Sequence, residues 1–167
     1  MFRIGLLSDT HGYLDPQLES FFSGVDEIWH AGDIGDIEVC RILESWKPLV
    51  AVYGNIDGDP VRRTYPTHQR LMREGLDIWM THIGGYPGSY APGIRERIHD
   101  NPPGLFITGH SHILKVIPDK KNGLLHMNPG AAGTYGFHLV RTAIRFEISN
   151  GKPGALDIIE LGKRSRG

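Results

Sequence analysis

FRIGLLSDTHGYLDPQLESFFSGVDEIWHAGD, residues 2–33, runs from an apolar stretch through a polar turn and an amphipathic segment into a second apolar stretch. FRIGLL (2–7) has the length and composition of a buried strand. PQLESFFSG (16–24) predicts a helix, with Asp15 as N-cap, Pro16 at the first helical position and Gly24 as the stop. EIWHAGD (27–33) predicts a second strand. The pattern repeats in DIEVCRILESW (36–46), where Ile37, Cys40, Ile42 or Leu43, and Trp46 recur at helical spacing, and in PLVAVYGN (48–55), a third strand. A β-α-β-α-β order predicts a parallel sheet with right-handed crossovers.

Beyond residue 60 the pattern changes. HQRLMREGLDIWMTH (68–82) reads as a hairpin turning near Glu74 and Gly75, residues 91–99 as a helix, and LFITGH (105–110) as a buried strand. Residues 112–128 and 141–161 each read as an antiparallel pair with Asn-Gly near the turn. A parallel half and an antiparallel half in so short a chain predict two packed sheets with helices outside, an α/β protein.

The bulk properties narrow the function classes. With 167 residues, one domain over 1–162 is expected, followed by a disordered tail over 163–167. The balance of 18 Lys+Arg against 19 Asp+Glu offers no footprint for general nucleic-acid or anionic-membrane binding. The single cysteine, Cys40, excludes an internal disulfide, and no apolar run reaches the ~18 residues of a membrane span. The expectation is a cytoplasmic protein.

The chemistry sits where the expected strands end. Asp9 and His11 follow the first strand, Asp33 the second and Asn55 the third, while His82 and the pair His110 and His112 follow later ones. Asp-Thr-His followed by Gly12 suits a metal-ligand pair and also an ordinary turn. The recurrence favours ligands, because reactive groups in open α/β sheets gather beyond the carboxyl ends of the strands. Two carboxylates, four imidazoles and one amide on a single rim exceed what one ion needs and fit two divalent cations. With no thiolate in the set, mixed nitrogen and oxygen ligands suit manganese, iron, cobalt, nickel or zinc.

Taken in order, D-x-H, G-D, G-N, H and G-H-x-H resemble the calcineurin-like metallophosphoesterase superfamily. The short chain is similar to its small prokaryotic YfcE-type phosphodiesterase branch, and NPGAAG (128–133) looks like a turn of that branch. The resemblance implies a four-layer α-β-β-α sandwich of two mixed sheets. It implies that Asp9, His11 and His112 hold one ion, that Asn55, His82 and His110 hold the other, and that Asp33 bridges them. It implies a phosphoesterase, above all a phosphodiesterase, that attacks small phosphoesters with a metal-bridging hydroxide; Asp33, Asn55 and His82 are the residues expected closest to the chemistry. Manganese is the first expectation for the metal. The alternatives are a non-catalytic scaffold of the same fold, a phosphomonoesterase and a nuclease; a homo-oligomer is compatible with all of them.

Two departures stand out. Where much of the superfamily has a His after the Asn, thought to protonate the leaving group, this chain has Ile56; where relatives show His-Gly-His, it reads HIGGY from His82. Good leaving groups are therefore expected to be favoured. Among the other residues, His30, His126 and Asn128 are balanced between site and structural roles. His68, His99 and His138 are expected at the surface or in packing, Trp29, Trp46 and Trp79 in the core, and Cys40 on a buried helix face without a nucleophilic role. Gly32, Gly54 and Gly109 are expected to let the backbone turn beneath the ligands.

Overall fold

The computed structural model describes residues 1–164. In chain order the elements are β1 (Phe2–Leu7), α1 (Gln17–Phe21), β2 (Glu27–His30), α2 (Ile37–Trp46), β3 (Leu49–Ala51), α3 (Asp59–Thr64), β4 (His68–Arg73) and β5 (Leu76–Thr81). There follow β6 (Gly85–Tyr86), β7 (Ser89–Tyr90), α4 (Ile94–Asp100), β8 (Leu105–Ile107), β9 (Leu114–Asp119), β10 (Leu124–Pro129), β11 (Val140–Ser149) and β12 (Lys152–Lys163).

Ten of the strands form two five-stranded sheets, ordered β12-β11-β1-β2-β3 and β4-β5-β8-β10-β9, and β6 and β7 pair as a separate two-stranded ribbon. Neither is purely parallel. In the first, β1, β2 and β3 are parallel, and the β11/β12 hairpin joins antiparallel to β1. In the second, β5, β8 and β10 are parallel, flanked by antiparallel β4 and β9. The division into a parallel and an antiparallel half is thus corrected, whereas the two mixed sheets implied by the resemblance are present.

Apolar side chains from both sheets, among them Ile4, Leu6, Trp29, Ile78, Ile107 and Phe146, fill the space between them. A second cluster packs α1 and α2, through Leu18, Phe21, Val39 and Leu43, onto the outer face of the first sheet. A third packs α4, through Ile94 and Ile98, onto Trp79 and Phe106 of the second. The result is four layers, helix, sheet, sheet, helix. No helix of the described residues is long and apolar enough to cross a membrane.

Local departures have local causes. Pro16 rather than Asp15 takes the N-cap position of α1, although the Asp15 carboxylate accepts from the Gln17 N–H at 2.8 Å, and α1 ends at Phe21, short of Gly24, because Phe22 closes it in a turn. Asp36, expected inside α2, instead caps it, accepting from the Glu38 N–H at 2.9 Å, and Leu43 rather than Ile42 takes the buried position. Trp29 and Trp79 lie in the core, while Trp46 is half-buried against the helix-side cluster. The short helix α3 went unread, since Val61 is its one buried residue. Lys163 pairs with Val140 within β12 instead of opening a tail; of the expected tail, 165–167 lie outside the described residues.

Candidate metal centre

The strands stop short of the polar residues. β2 ends at His30, β3 at Ala51 and β8 at Ile107, so Asp33, Asn55 and His110 stand on loops beyond the strand ends. Backbone bonds stitch these loops together: the Asp9 N–H donates to the Gly32 carbonyl at 2.9 Å, and the Gly109 N–H to that of His82 at 3.0 Å. Both sheets therefore deliver their loops to one rim.

Asp9, His11 and His112 form one group whose ligand atoms all lie within 4.8 Å of one another; Asp33, His82 and His110 form a second. Asp9 Oδ1 is 3.1 Å from His112 Nε2. Asp33 Oδ2 lies 3.2 Å from His82 Nε2 in its own group and 3.5 Å from His11 Nε2 in the other, so one carboxylate oxygen faces both. Asn55 joins the second group, its Oδ1 standing 3.1 Å from His110 Nδ1. All seven residues singled out from the sequence are brought together.

Each carboxylate has one oxygen tied and one aimed inward. Asp9 Oδ2 accepts from the Ser8 hydroxyl at 2.6 Å and the His110 N–H at 3.1 Å. Asp33 Oδ1 accepts from the Ile56 N–H at 3.1 Å. Inside the centre, Asp9 Oδ1, His11 Nε2 and His82 Nε2 are buried without a hydrogen-bond partner among the described residues. A buried polar atom without a partner costs about 1–3 kcal/mol, and three converging on one space call for a ligand that accepts lone pairs. Divalent cations have that chemistry, so the donor set fits two.

The charges agree. Burial pushes the Asp9 and Asp33 carboxyls up, but the imidazoles of His112 and His82 outweigh it and hold both below the usual carboxylate range. Burial pulls His82 down, yet Asp33 and Asp9 raise it on balance. His11 goes the other way, because burial outweighs Asp33 and Asp9.

The imidazoles are oriented from behind. His82 Nδ1 donates to the Ala31 carbonyl at 2.7 Å, which leaves Nε2 to face the centre. His138 corrects the sequence reading: it is buried, its Nε2 donates to the Gly133 carbonyl at 2.8 Å, and its Nδ1 therefore carries the lone pair that accepts from His112 Nδ1 at 3.1 Å. His112 is thereby fixed with Nε2 toward Asp9. Nothing in the sequence marks His138, since it lies 26 residues from His112.

Asp57 was also missed. It is buried and accepts from the N–H groups of Ile34, Gly35 and Gly54, which locks the loop bearing Asp33 to the loop bearing Asn55. Asn128 does similar work, its amide donating to the Gly109 carbonyl at 3.0 Å and to Ser111 Oγ at 3.1 Å. His30 accepts from the Gly32 N–H and pairs with Thr10, and burial holds its imidazole down at about 4. His126 pairs with Thr108 Oγ1 in the second sheet. Cys40 is buried, its thiol pushed up to about 11 by burial, and takes no part.

Backbone conformation is unusual here. Asp9, His11, Asp33, His110 and His112 all have left-handed φ, between 46° and 72°, a region that favours glycine. Gly54 and Gly109 serve close approach rather than a turn: a Cβ at Gly54 would collide with Asp33, and one at Gly109 would come within 2.9 Å of Asp9 Oδ2. Gly84, two residues beyond His82, has no room for an imidazole; a Cβ there would stand 2.6 Å from the Phe106 ring.

Comparison with known proteins agrees with this geometry. The family model described as the calcineurin-like phosphoesterase superfamily domain matches residues 2–151. A probable metallophosphoesterase of Methanocaldococcus jannaschii is 32% identical over 139 residues, covering 77% of this chain and 67% of the relative. Among solved structures, an archaeal phosphodiesterase superposes with a TM-score of 0.72 at 20% identity, over 95% of this chain and 99% of that one. Vps29 from Chaetomium thermophilum reaches 0.74 at 17% identity, over 98% and 100%. These two likenesses are of fold.

Proposed function

The chain belongs to the calcineurin-like phosphoesterase superfamily, and we propose that it is a phosphodiesterase working with two divalent cations, manganese first among them. The observation that carries this reading is the shared carboxylate: Asp33 Oδ2 faces His11 of one group and His82 of the other, among three buried ligand atoms that have no other partner. In the proposal Asp9, His11 and His112 hold one ion, Asn55, His82 and His110 the other, and Asp33 both. When bound, such a pair supplies a nucleophile from water at neutral pH and neutralises the phosphoryl oxygens in an in-line displacement.

The chain's own residues do the rest. Ser8, His110 and Ile56 pin the outer carboxylate oxygens so that the inner ones stay aimed. Asn55 offers an amide oxygen, which adds no charge beside the two acids. Ile56, half-exposed behind Asn55, can supply no proton to a departing alkoxide. The proposal therefore favours diesters whose leaving group departs unprotonated.

The test is reconstitution with manganese, elemental analysis, and hydrolysis of bis-p-nitrophenyl phosphate against p-nitrophenyl phosphate. The expected result is close to two ions per chain and a higher rate on the diester, both lost in Asp33→Ala. Near-zero stoichiometry with intact folding, or wild-type hydrolysis in Asp33→Ala, would overturn the reading. A protein-binding role is the second reading, favoured by Tyr135, Phe137 and Leu139, exposed by 69%, 101% and 82% beside the centre. A protein loaded with both ions and inert toward every ester would support it.

A further inference from the structure

A cleft of about 470 Å³ opens beside Asn55 and His82 and runs between α3, the start of β4 and the segment leading into α4. Its walls carry Tyr53, Arg62, His68, Ile83 and Pro92 and, among the described residues, no carboxylate. The arginines near it are unusual in this chain. Among the described residues, every arginine from Arg3 to Arg145 is ion-paired with a carboxylate except Arg62 and Arg97. Arg62 lines this cleft, and Arg97 stands behind its wall against the lining residue His68.

Each is held in place without being neutralised. Arg62 lies over the Tyr53 ring, 4.7 Å from its centroid, and donates to the backbone carbonyls of Asp57 and, at 3.2 Å, Asn55. Those bonds use Nε and Nη2, which leaves Nη1 uncommitted. Arg97, on α4, lies over the Trp79 ring at 4.6 Å and brings Nη1 to 3.3 Å from His68 Nε2.

His68 adds a conflict of hydrogen bonds. The Trp79 indole N–H, which can only donate, points at His68 Nδ1 at 3.1 Å, so that nitrogen holds the lone pair and Nε2 holds the proton. Arg97 can also only donate, and it faces that Nε2–H. A neutral imidazole has one lone pair, and two obligatory donors claim it. One donor pair therefore faces itself, and an acceptor on the cleft side relieves the conflict by taking both hydrogens.

We infer that this cleft is an anion subsite, which takes a second negatively charged group, carboxylate or phosphoryl, carried on the ester arm of the substrate that is retained after cleavage. The assignment rests on the phosphodiester reading of the adjacent centre. Arg62, next to Asn55, meets the near side of that arm, and the Arg97 and His68 pair meets its charged end. The wall between, with Ile83 and Pro92, is apolar and suits a ring or short carbon chain.

The test uses mixed diesters of p-nitrophenol with phenol, 4-carboxyphenol or 4-phosphonophenol on the manganese-loaded protein. In each, water adds its oxygen to phosphorus, the bond to p-nitrophenol breaks, and p-nitrophenolate leaves with the electron pair, so the leaving group is constant. The expected result is a kcat/KM at least about tenfold higher for a charged arm than for the phenyl arm, with the ratio falling toward one in Arg97→Met and Arg62→Met. The carboxylate and phosphonate arms separate the two anion sources. A ratio near one in the wild type, or one unmoved in both variants, would overturn the inference while leaving the phosphodiesterase reading intact. If no ester is cleaved, the subsite is still decided by titrating metal-free protein with inorganic phosphate and following the Trp79 indole N–H resonance. A saturable shift that Arg97→Met abolishes supports it, and no saturation below about 10 mM overturns it.

Discussion

Replacing His138 tests whether a residue outside the ligand set governs one ion and not the other. His138 gives its Nε2 hydrogen to the Gly133 carbonyl and accepts the Nδ1 hydrogen of His112. In His138→Phe that acceptor is gone, and the His112 ring regains a second tautomer and rotation about its outer torsion. Tautomer choice removes about twofold of the productive population and rotation several-fold more, so a tenfold loss of affinity is the lower end of the 10- to 100-fold range for such supporting bonds, about 1.4–2.7 kcal/mol. The lost hydrogen bond costs a further ~1 kcal/mol of folding stability. His138→Gln is the discriminating control, since its amide can donate to Gly133 and accept from His112. Calorimetric titration of metal-free protein with manganese should show one binding step weakened in the Phe variant, the other unchanged, and the weakened step restored in the Gln variant. Wild-type affinity in His138→Phe, or equal weakening of both steps, would refute the reasoning, because a general packing defect does not choose between ions.

Ile56→His should flatten the dependence of rate on leaving-group pKa along a series of aryl phosphodiesters, by up to the ~10²–10⁴ that general acid catalysis supplies for poor leaving groups; a shallow slope already present in the wild type would mean that another group donates the proton. Burial, with Lys115 adding to it, holds the His126 imidazole down at about 4, below its ordinary 6.5. The unfolded chain therefore binds more protons between those values, and the stability contributed is full above 6.5 and lost as pH falls toward 4. For one such group this is about 2 kcal/mol between about pH 7.5 and about pH 5, so urea unfolding of His126→Gln should lose that much less over this interval, and an unchanged pH dependence would count against a buried neutral imidazole.

Much of this was legible because it is written locally. The Glu74–Gly75 turn and the five strand-end motifs depend on neighbours a few residues apart, and each is found where the pattern places it. Sheet membership is not local. β11 pairs with β1 across nearly the whole chain, and β5, β8 and β10 are parallel because the segments between them cross over, which no run of alternating residues reveals. The residues that support the centre were hidden for a related reason. His138 and Asp57 matter through the partners that the fold brings to them, and by composition alone they resemble any loop histidine or turn aspartate.

The left-handed backbone at Asp9, His11, Asp33, His110 and His112 separates the fold from its chemistry in energetic terms. Each such position costs roughly 1–3 kcal/mol in a residue other than glycine, less for Asp, and the layers behind must hold it there. Glycine at any of them relieves that strain, while the core between the sheets is untouched. Backbone strain at these positions therefore favours glycine, and it acts against the same side chains that the proposed centre requires. In the two-cation reading proposed above, binding of the ions is what offsets that strain at five of the seven ligand positions.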